Sequence, residues 1–487
     1  VRIIDSRVSE SNFRMISIVG GGLAGSEAAW QAAQRGVPVT LYEMRPVRPT
    51  RVHQTDYFAE LVCSNSFRGA QLENAVGLLK EEMRQLGSLI IRVADETRVP
   101  AGGALAVDRE RFAVGVTAAL ESHPLIHICR EEVTTIPDND AQSPFIVATG
   151  PLTSEALSSE IVKLVGDEHL FFYDAISPIV STDSIDRNKV FRASRYGRDT
   201  PVELPAAVAS NSVSTRGELT ETGDYLNCPL DREQYLLLHQ AILDAECAAV
   251  HDFDNTKFFE GCLPVEVLAH RGVDTLRFGP MKPVGLRDPN TGRRPYAVVQ
   301  LRQDDLAADH FSLVGFQTQM KWGDQQRVLR LIPGLEQAEF VRYGMIHRNT
   351  YINAPRVLEP TWQMRNRPEL FFAGQVSGVE GYVESAASGL IAGLAAAALQ
   401  SGFSFPCLPR TTALGAIGFY VSHASPINYQ PTNIAFGLFP ALDDSPRDKR
   451  SRRRAMADRA LRDLTRWQES LFVERMVSPS EQIQYRD

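Results

Sequence analysis

The chain has 487 residues, of which 44% are hydrophobic and 23% charged, with a formal net charge of −8. That length predicts two to three domains of ordinary globular composition, and the acidic balance argues against bulk nucleic-acid binding, which runs on phosphate neutralisation by Lys and Arg. The cysteines Cys63, Cys129, Cys228, Cys247, Cys262 and Cys407 are scattered and form no C-x-x-C, which excludes a zinc knuckle, a thioredoxin-type pair and a disulfide scaffold and fits a reducing cytoplasm.

Residues 1–14 carry charges without an apolar core and read as an N-terminal extension, not a secretory signal. The β-branched run 16–19 then leads into G-G-G-L-A-G at 20–25, and 26–35 reads as a helix. Strand, tight turn and helix form the context that a dinucleotide fingerprint requires. Gly20 allows the turn, Gly22 lets a pyrophosphate approach the backbone, and Gly25 lets the helix lie against the strand. The helix N-terminus offers free N–H groups to the phosphates. A second strand, 38–43, ends in Glu43, 18 residues past Gly25 and close to the ~20 expected of a ribose-binding carboxylate. Gly20, Gly21, Gly22, Leu23, Ala24, Gly25, Glu43 and Arg45 are the expected nucleotide contacts. Next, 59–68 (AELVCSNSFR) sets the Cys63 thiol among polar residues just after the nucleotide unit; the bland alternative is a buried structural cysteine.

Leu72, Val76, Leu79, Met83 and Leu86 predict one amphipathic helix over 71–92. A Gly-rich turn at 100–109, a helix over 110–121 and a buried strand at 145–150 complete a first nucleotide-binding part, 15–150. Over 151–340 short strands, turns and isolated prolines predict an inserted α+β domain. Within it, 197–224 has almost no large apolar residues and reads as an exposed loop, leading to Y-L-N-C-P-L at 225–230, a helix over 233–249, and a polar loop at 321–324. A strand and Gly turn return at 370–375, followed by a helix to about 400 in which Ala386, Ala387, Gly389 and Gly393 present a smooth face. No apolar run reaches the ~18 residues of a membrane span. A second nucleotide-binding part, 341–487, closes with a helix over 448–471. Arg447, Lys449, Arg450, Arg452, Arg453 and Arg454, with Lys282 and Lys321, are candidate phosphate contacts or solvated charges.

The strand, Gly-Gln turn and helix around Gly374, Gln375 and Gly381 resemble the element with which FAD proteins of the glutathione-reductase type aim a helix N-terminus at the flavin. The fold class expected is therefore α/β: a Rossmann-like FAD-binding domain of that type with an inserted α+β domain. The stretches 20–29, 61–66, 100–109, 225–230, 258–266, 279–286, 314–324, 345–351 and 374–393 together resemble the folate- and FAD-dependent tRNA uracil-5-methyltransferases, from about 15 to 470. The 197–224 loop and the N-terminal extension depart from that pattern.

The resemblance implies methylation of C5 of the T-loop uridine of tRNA, with 5,10-methylenetetrahydrofolate as one-carbon donor, FAD as hydride source, and NADPH or NADH to regenerate the reduced flavin. It assigns Cys228 to attack on uracil C6 and Cys63 to the flavin environment, with the two roles exchangeable. His347 and Arg348 are candidates for holding the folate. No metal and no membrane partner are implied. The same motifs serve a ribosomal-RNA uridine equally well, and the Gly-rich units alone permit a small-molecule flavin oxidoreductase or a non-catalytic RNA-binding flavoprotein.

Overall fold

The computed structural model describes residues 15–50, 52–138, 143–166, 169–175, 177–197, 223–247 and 263–476. The β-branched run forms β1 (Ile16–Val19). Gly20, at φ 105°, then turns the chain into α1 (Leu23–Ala33), and β2 (Val39–Tyr42) returns parallel to β1. After β3 (Ser66–Gly69) the predicted single helix is two, α2 (Ala75–Gln85) and α3 (Leu89–Glu96). Gly87, at φ 74°, ends the first, and Ser88 caps the second by accepting from Ile91 N at 3.2 Å. Both helices bury apolar faces in one core, so the apolar spacing runs on across the break. There follow β4 (Arg98–Val99), β5 (Ala104–Val107), α4 (Arg109–Glu121), β6 (Ile126–Cys129), β7 (Phe145–Val147) and α5 (Glu155–Val165); β3, β5 and β4 form a small antiparallel sheet.

The chain leaves this layer through β8 (His169–Ala175) and builds β9 (Ile179–Ser181), β10 (Phe191–Arg192), β11 (Tyr225–Leu230), α6 (Arg232–Leu243), α7 (Val265–His270), α8 (Thr275–Phe278), β12 (Ala297–Gln303), β13 (His310–Leu313), α9 (Trp322–Leu329) and β14 (Phe340–Arg342). Six of these strands make an antiparallel sheet ordered β10-β11-β12-β13-β9-β14. The expected polar loop at 321–324 is already the first turn of α9. Residues 198–222, most of the expected loop, and 248–262, with Cys262, lie outside the described residues.

β15 (Ile346–Ile352) returns antiparallel to β8, so the outgoing and incoming chains form a two-stranded ribbon. After α10 (Ala354–Val357), β16 (Gln363–Met364) and β17 (Arg367–Phe372) rejoin the first layer, whose order is β16-β17-β7-β1-β2-β6. Every pair in it is parallel except β16 with β17. Then comes α11 (Tyr382–Gln400), whose small residues meet α1: a Cβ on Gly389 would stand 2.0 Å from Ala24 O, and one on Gly393 2.5 Å from Ala28 O. This 19-residue helix is long and apolar enough to cross a membrane, unlike the shorter run the sequence offers, yet its 18-residue apolar stretch, of mean hydropathy 1.4, is 78% buried inside the protein. α12 (Ala413–His423) and α13 (Lys449–Met476) are the last helices of the described residues. The buried Glu82 closes the start of α12, accepting from Ala413 N at 2.7 Å and Leu414 N at 2.9 Å.

Candidate functional site

A groove runs across the C-terminal ends of β1, β2, β7 and β17, the place where open α/β sheets take ligands. Gly20 to Ala24, Glu43, Arg45, Gly374 and Gln375, the residues expected to meet a nucleotide, line it. Gly25 lies beneath, where a Cβ would stand 1.8 Å from Gly20 O, whereas one on Gly22 would meet nothing within 4 Å. The turn is therefore closed on the protein side and open on the groove side. Glu43 Oε2 accepts from Gly21 N at 2.9 Å and Oε1 from Arg45 Nε at 3.0 Å. Burial raises the Glu43 pKa, but the hydrogen bonds and charge of Arg45 and the Gly21 N–H outweigh it and hold the carboxyl below the usual range. On the far side Gly374 N donates to Ser388 Oγ at 2.7 Å. Gly381, at φ 107°, sets the start of α11, whose first residue, Tyr382, reaches the groove. A glycine cradle, two helix N-termini and a charged acid at ribose distance along the chain fit a dinucleotide such as FAD.

Sequence reasoning missed His53, which also lines the groove. Burial first, then Arg45, pushes its pKa down to about 4, so it is a neutral imidazole at pH 7. Its Nδ1 lies 2.7 Å from Thr50 Oγ1.

The Cys63 loop stands at the mouth of the groove. Cys63 N and Ser64 N both donate to Tyr382 Oη, at 2.8 and 2.9 Å, and Val62 lines the groove beside Tyr382. The half-buried Cys63 is an electrostatic neighbour of both Arg109 and Arg342. Arg109 is held in turn by Asp304, with Nε–Oδ2 at 2.8 Å and Nη2–Oδ1 at 3.2 Å, and donates from Nη1 to Leu61 O at 2.8 Å. From the end of β12, Arg302 donates to Asn65 Oδ1 and Ser64 Oγ, both at 2.8 Å. The thiol loop is thus clamped between the nucleotide-binding layer and the second domain. Tyr382 and Arg109 fall in stretches the sequence marks, at 374–393 and 100–109; Arg302, Asp304 and Arg342 carry no local signal.

Cys228 is placed elsewhere. On β11 it is 0% exposed, packed with Leu226, Leu230, Val299 and Leu301 in the core of the second domain. Burial, with Glu336 adding to it, pushes its thiol pKa far up. That placement departs from the expectation that Cys228 meets the pyrimidine, because strand alternation turns residues 226, 228 and 230 to the apolar face. His347 and Arg348 lie on β15, opposite Asp174 and Tyr173 of β8; their side chains are outside the described residues. Lys321 pairs with Glu246, and the cationic cluster opens α13.

The family model described as glucose inhibited division protein A matches residues 15–404. A methylenetetrahydrofolate–tRNA-(uracil-5-)-methyltransferase of Pelotomaculum thermopropionicum is 57% identical over 94% of this chain and 99% of its own length. Its namesake from Enterococcus faecalis is 54% identical over 92% of this chain and 97% of its own. Among solved structures, GidA of Aquifex aeolicus superposes with a TM-score of 0.65 at 17% identity, covering 93% of this chain and 73% of that one, a likeness of fold.

Proposed function

The chain belongs to the glucose-inhibited division protein A family and, within it, to the methylenetetrahydrofolate–tRNA-(uracil-5-)-methyltransferases, and from that premise we propose that it methylates C5 of the T-loop uridine of tRNA with a thiolate, a folate and a flavin. One observation carries the reading: Tyr382 both lines the nucleotide groove and binds the backbone of Cys63, which sets beside the groove mouth a thiol that interacts electrostatically with Arg109 and Arg342. Uracil C5 is a poor nucleophile. A sulfur–carbon bond to C6 pushes the C5=C6 electron pair towards the C4 oxygen, and C5 then attacks the folate methylene carbon.

Only a thiolate can make that first bond. Arg109 and Arg342 stabilise one at Cys63, whereas the apolar surroundings of Cys228 favour the neutral thiol. The proposal therefore gives the attack to Cys63, the reverse of the role the resemblance implies. After loss of the C5 proton and departure of tetrahydrofolate, an exocyclic methylene remains on the ring. Reduced FAD, which Gly20 to Ala24, Glu43 and Gln375 would hold, would supply the hydride that completes the methyl as the thiolate leaves, and NADPH or NADH would restore the reduced flavin. The target base, inside the folded tRNA elbow, is extruded to reach the groove mouth.

The test is covalent trapping on a 5-fluorouracil T-arm RNA, beside ribothymidine formation on unmodified tRNA. Trapping is expected to vanish in Cys63→Ala and persist in Cys228→Ala; the opposite pattern reassigns the nucleophile. Methylation that needs S-adenosylmethionine instead of methylenetetrahydrofolate overturns the reading altogether.

A further inference from the structure

A cavity of about 780 Å³ opens where the start of α13 meets the 70–74 turn after β3 and the Gly102-Gly103 turn before β5, with Gly197 of the second domain on its rim. Arg98, Lys449, Arg450 and Arg453 line it, against the two acids Glu73 and Asp448. Both acids are engaged: Asp448 Oδ2 accepts from Ser451 N at 2.7 Å, and Glu73 lies 3.7 Å from Arg450. Lys449 has no ion pair among the described residues, and the Nε of Arg98 is buried with no hydrogen-bond partner. In a chain of net charge −8 this is a local excess of positive charge facing a concave wall.

The helix itself does not favour these cations. Five of the first six residues of the 28-residue α13 are Lys or Arg, at the end of a helix where the macrodipole repels positive charge. The same dipole and the same side chains attract an anion. The cavity is also in register with the site. β3 runs from Ser66, three residues past Cys63, to Gly69, next to Ala70 of the cavity wall, roughly 10 Å along the strand at the usual rise. A polyanion whose base meets Cys63 has its backbone within reach of the cavity a few nucleotides away.

The geometry points to this cavity as a binding site for RNA backbone phosphates, which holds the tRNA next to its target nucleotide. The assignment rests on the tRNA reading above and adds to it the surface that bears the strand. Lys449, Arg450 and Arg453 supply the phosphate contacts, and the bare backbone of Gly102 and Gly103 keeps the opposite wall low enough for the sugar-phosphate chain. The contacts position without reading sequence.

The experiment measures binding of unmodified tRNA by fluorescence anisotropy across a salt series, on FAD-loaded wild type, the triple variant Lys449→Ala/Arg450→Ala/Arg453→Ala, and Arg452→Ala as a same-helix control that does not line the cavity. Each phosphate contact contributes about 0.7–0.9 to the log–log salt slope. The triple variant should lose about 2.1–2.7 units of slope and bind tRNA roughly 130- to 500-fold more weakly at 0.1 M salt. Its FAD retention and its NADPH oxidation without tRNA should stay at wild-type levels. An unchanged slope in the triple variant, or the loss of a full contact, about 0.7–0.9 of slope, in Arg452→Ala, overturns the assignment while wild-type methylation stands. Wild type that neither binds nor methylates tRNA overturns the functional reading itself, and this assignment with it.

Discussion

Arg109→Ala tests whether the second domain holds the thiol loop in place. The Arg109 and Asp304 side chains are 16% and 8% exposed, and two hydrogen bonds, at 2.8 and 3.2 Å, join them. Removing one partner of such a pair strands the other charge, at a cost of about 3–5 kcal/mol when fully buried; the residual water contact here favours the low end, about 3 kcal/mol. Leu61 O loses its donor as well, which adds ~1 kcal/mol. In urea unfolding of the holoprotein, Arg109→Ala should therefore lose about 4 kcal/mol, and trapping of fluorouracil RNA should slow because the loop is no longer fixed. The double variant Arg109→Ala/Asp304→Asn leaves no stranded carboxylate and should recover about 2 kcal/mol of the summed single losses, within the range of coupling seen between contacting groups. Strict additivity, or an Arg109→Ala variant within ~0.5 kcal/mol of wild type, would refute the clamp.

Two glycines separate fold from ligand. Gly389→Ala drives a Cβ to 2.0 Å from Ala24 O, forces α11 away from α1, and should cost about 1–3 kcal/mol in the denaturation midpoint of the FAD-free protein. Gly22→Ala, with nothing within 4 Å of its Cβ, should leave that midpoint unchanged yet abolish the visible absorbance of retained flavin; a yellow Gly22→Ala protein contradicts the placement of the pyrophosphate. His53 makes stability depend on pH. Burial and Arg45 lower its folded pKa to about 4 from 6.5, so between those values the unfolded chain binds more protons and stability rises with pH. The penalty is complete below the folded value and gone above the unfolded one, with a ceiling of about 3 kcal/mol. The stability difference between wild type and His53→Gln, followed from pH 4 to 7, should show that slope; parallel curves would sink it.

The parts of this site that local chemistry dictates are legible in the sequence. Gly20 and Gly25 are required by one turn, and Glu43 by the length of one helix and one strand, so spacing alone finds them. The small residues Gly389 and Gly393 likewise announce a close approach on that face of α11, though only the structure shows that α1 is the partner. What surrounds the thiol is not legible, because it is made by distant segments: Arg109 meets Asp304 across 195 residues, and Arg302 meets Asn65 across 237. No periodicity connects positions so far apart; only the packing of the second domain on the first brings them together. The two cysteines show the difference in one comparison. Cys228 sits in a conspicuous motif, but Leu226 and Leu230 flank it at the strand period of two, and that alternation by itself consigns the thiol to the core. Cys63 lies in a loop with no period at all. Its neighbours Arg109, Arg342 and Tyr382 come from distant segments and meet it only where the two domains pack together.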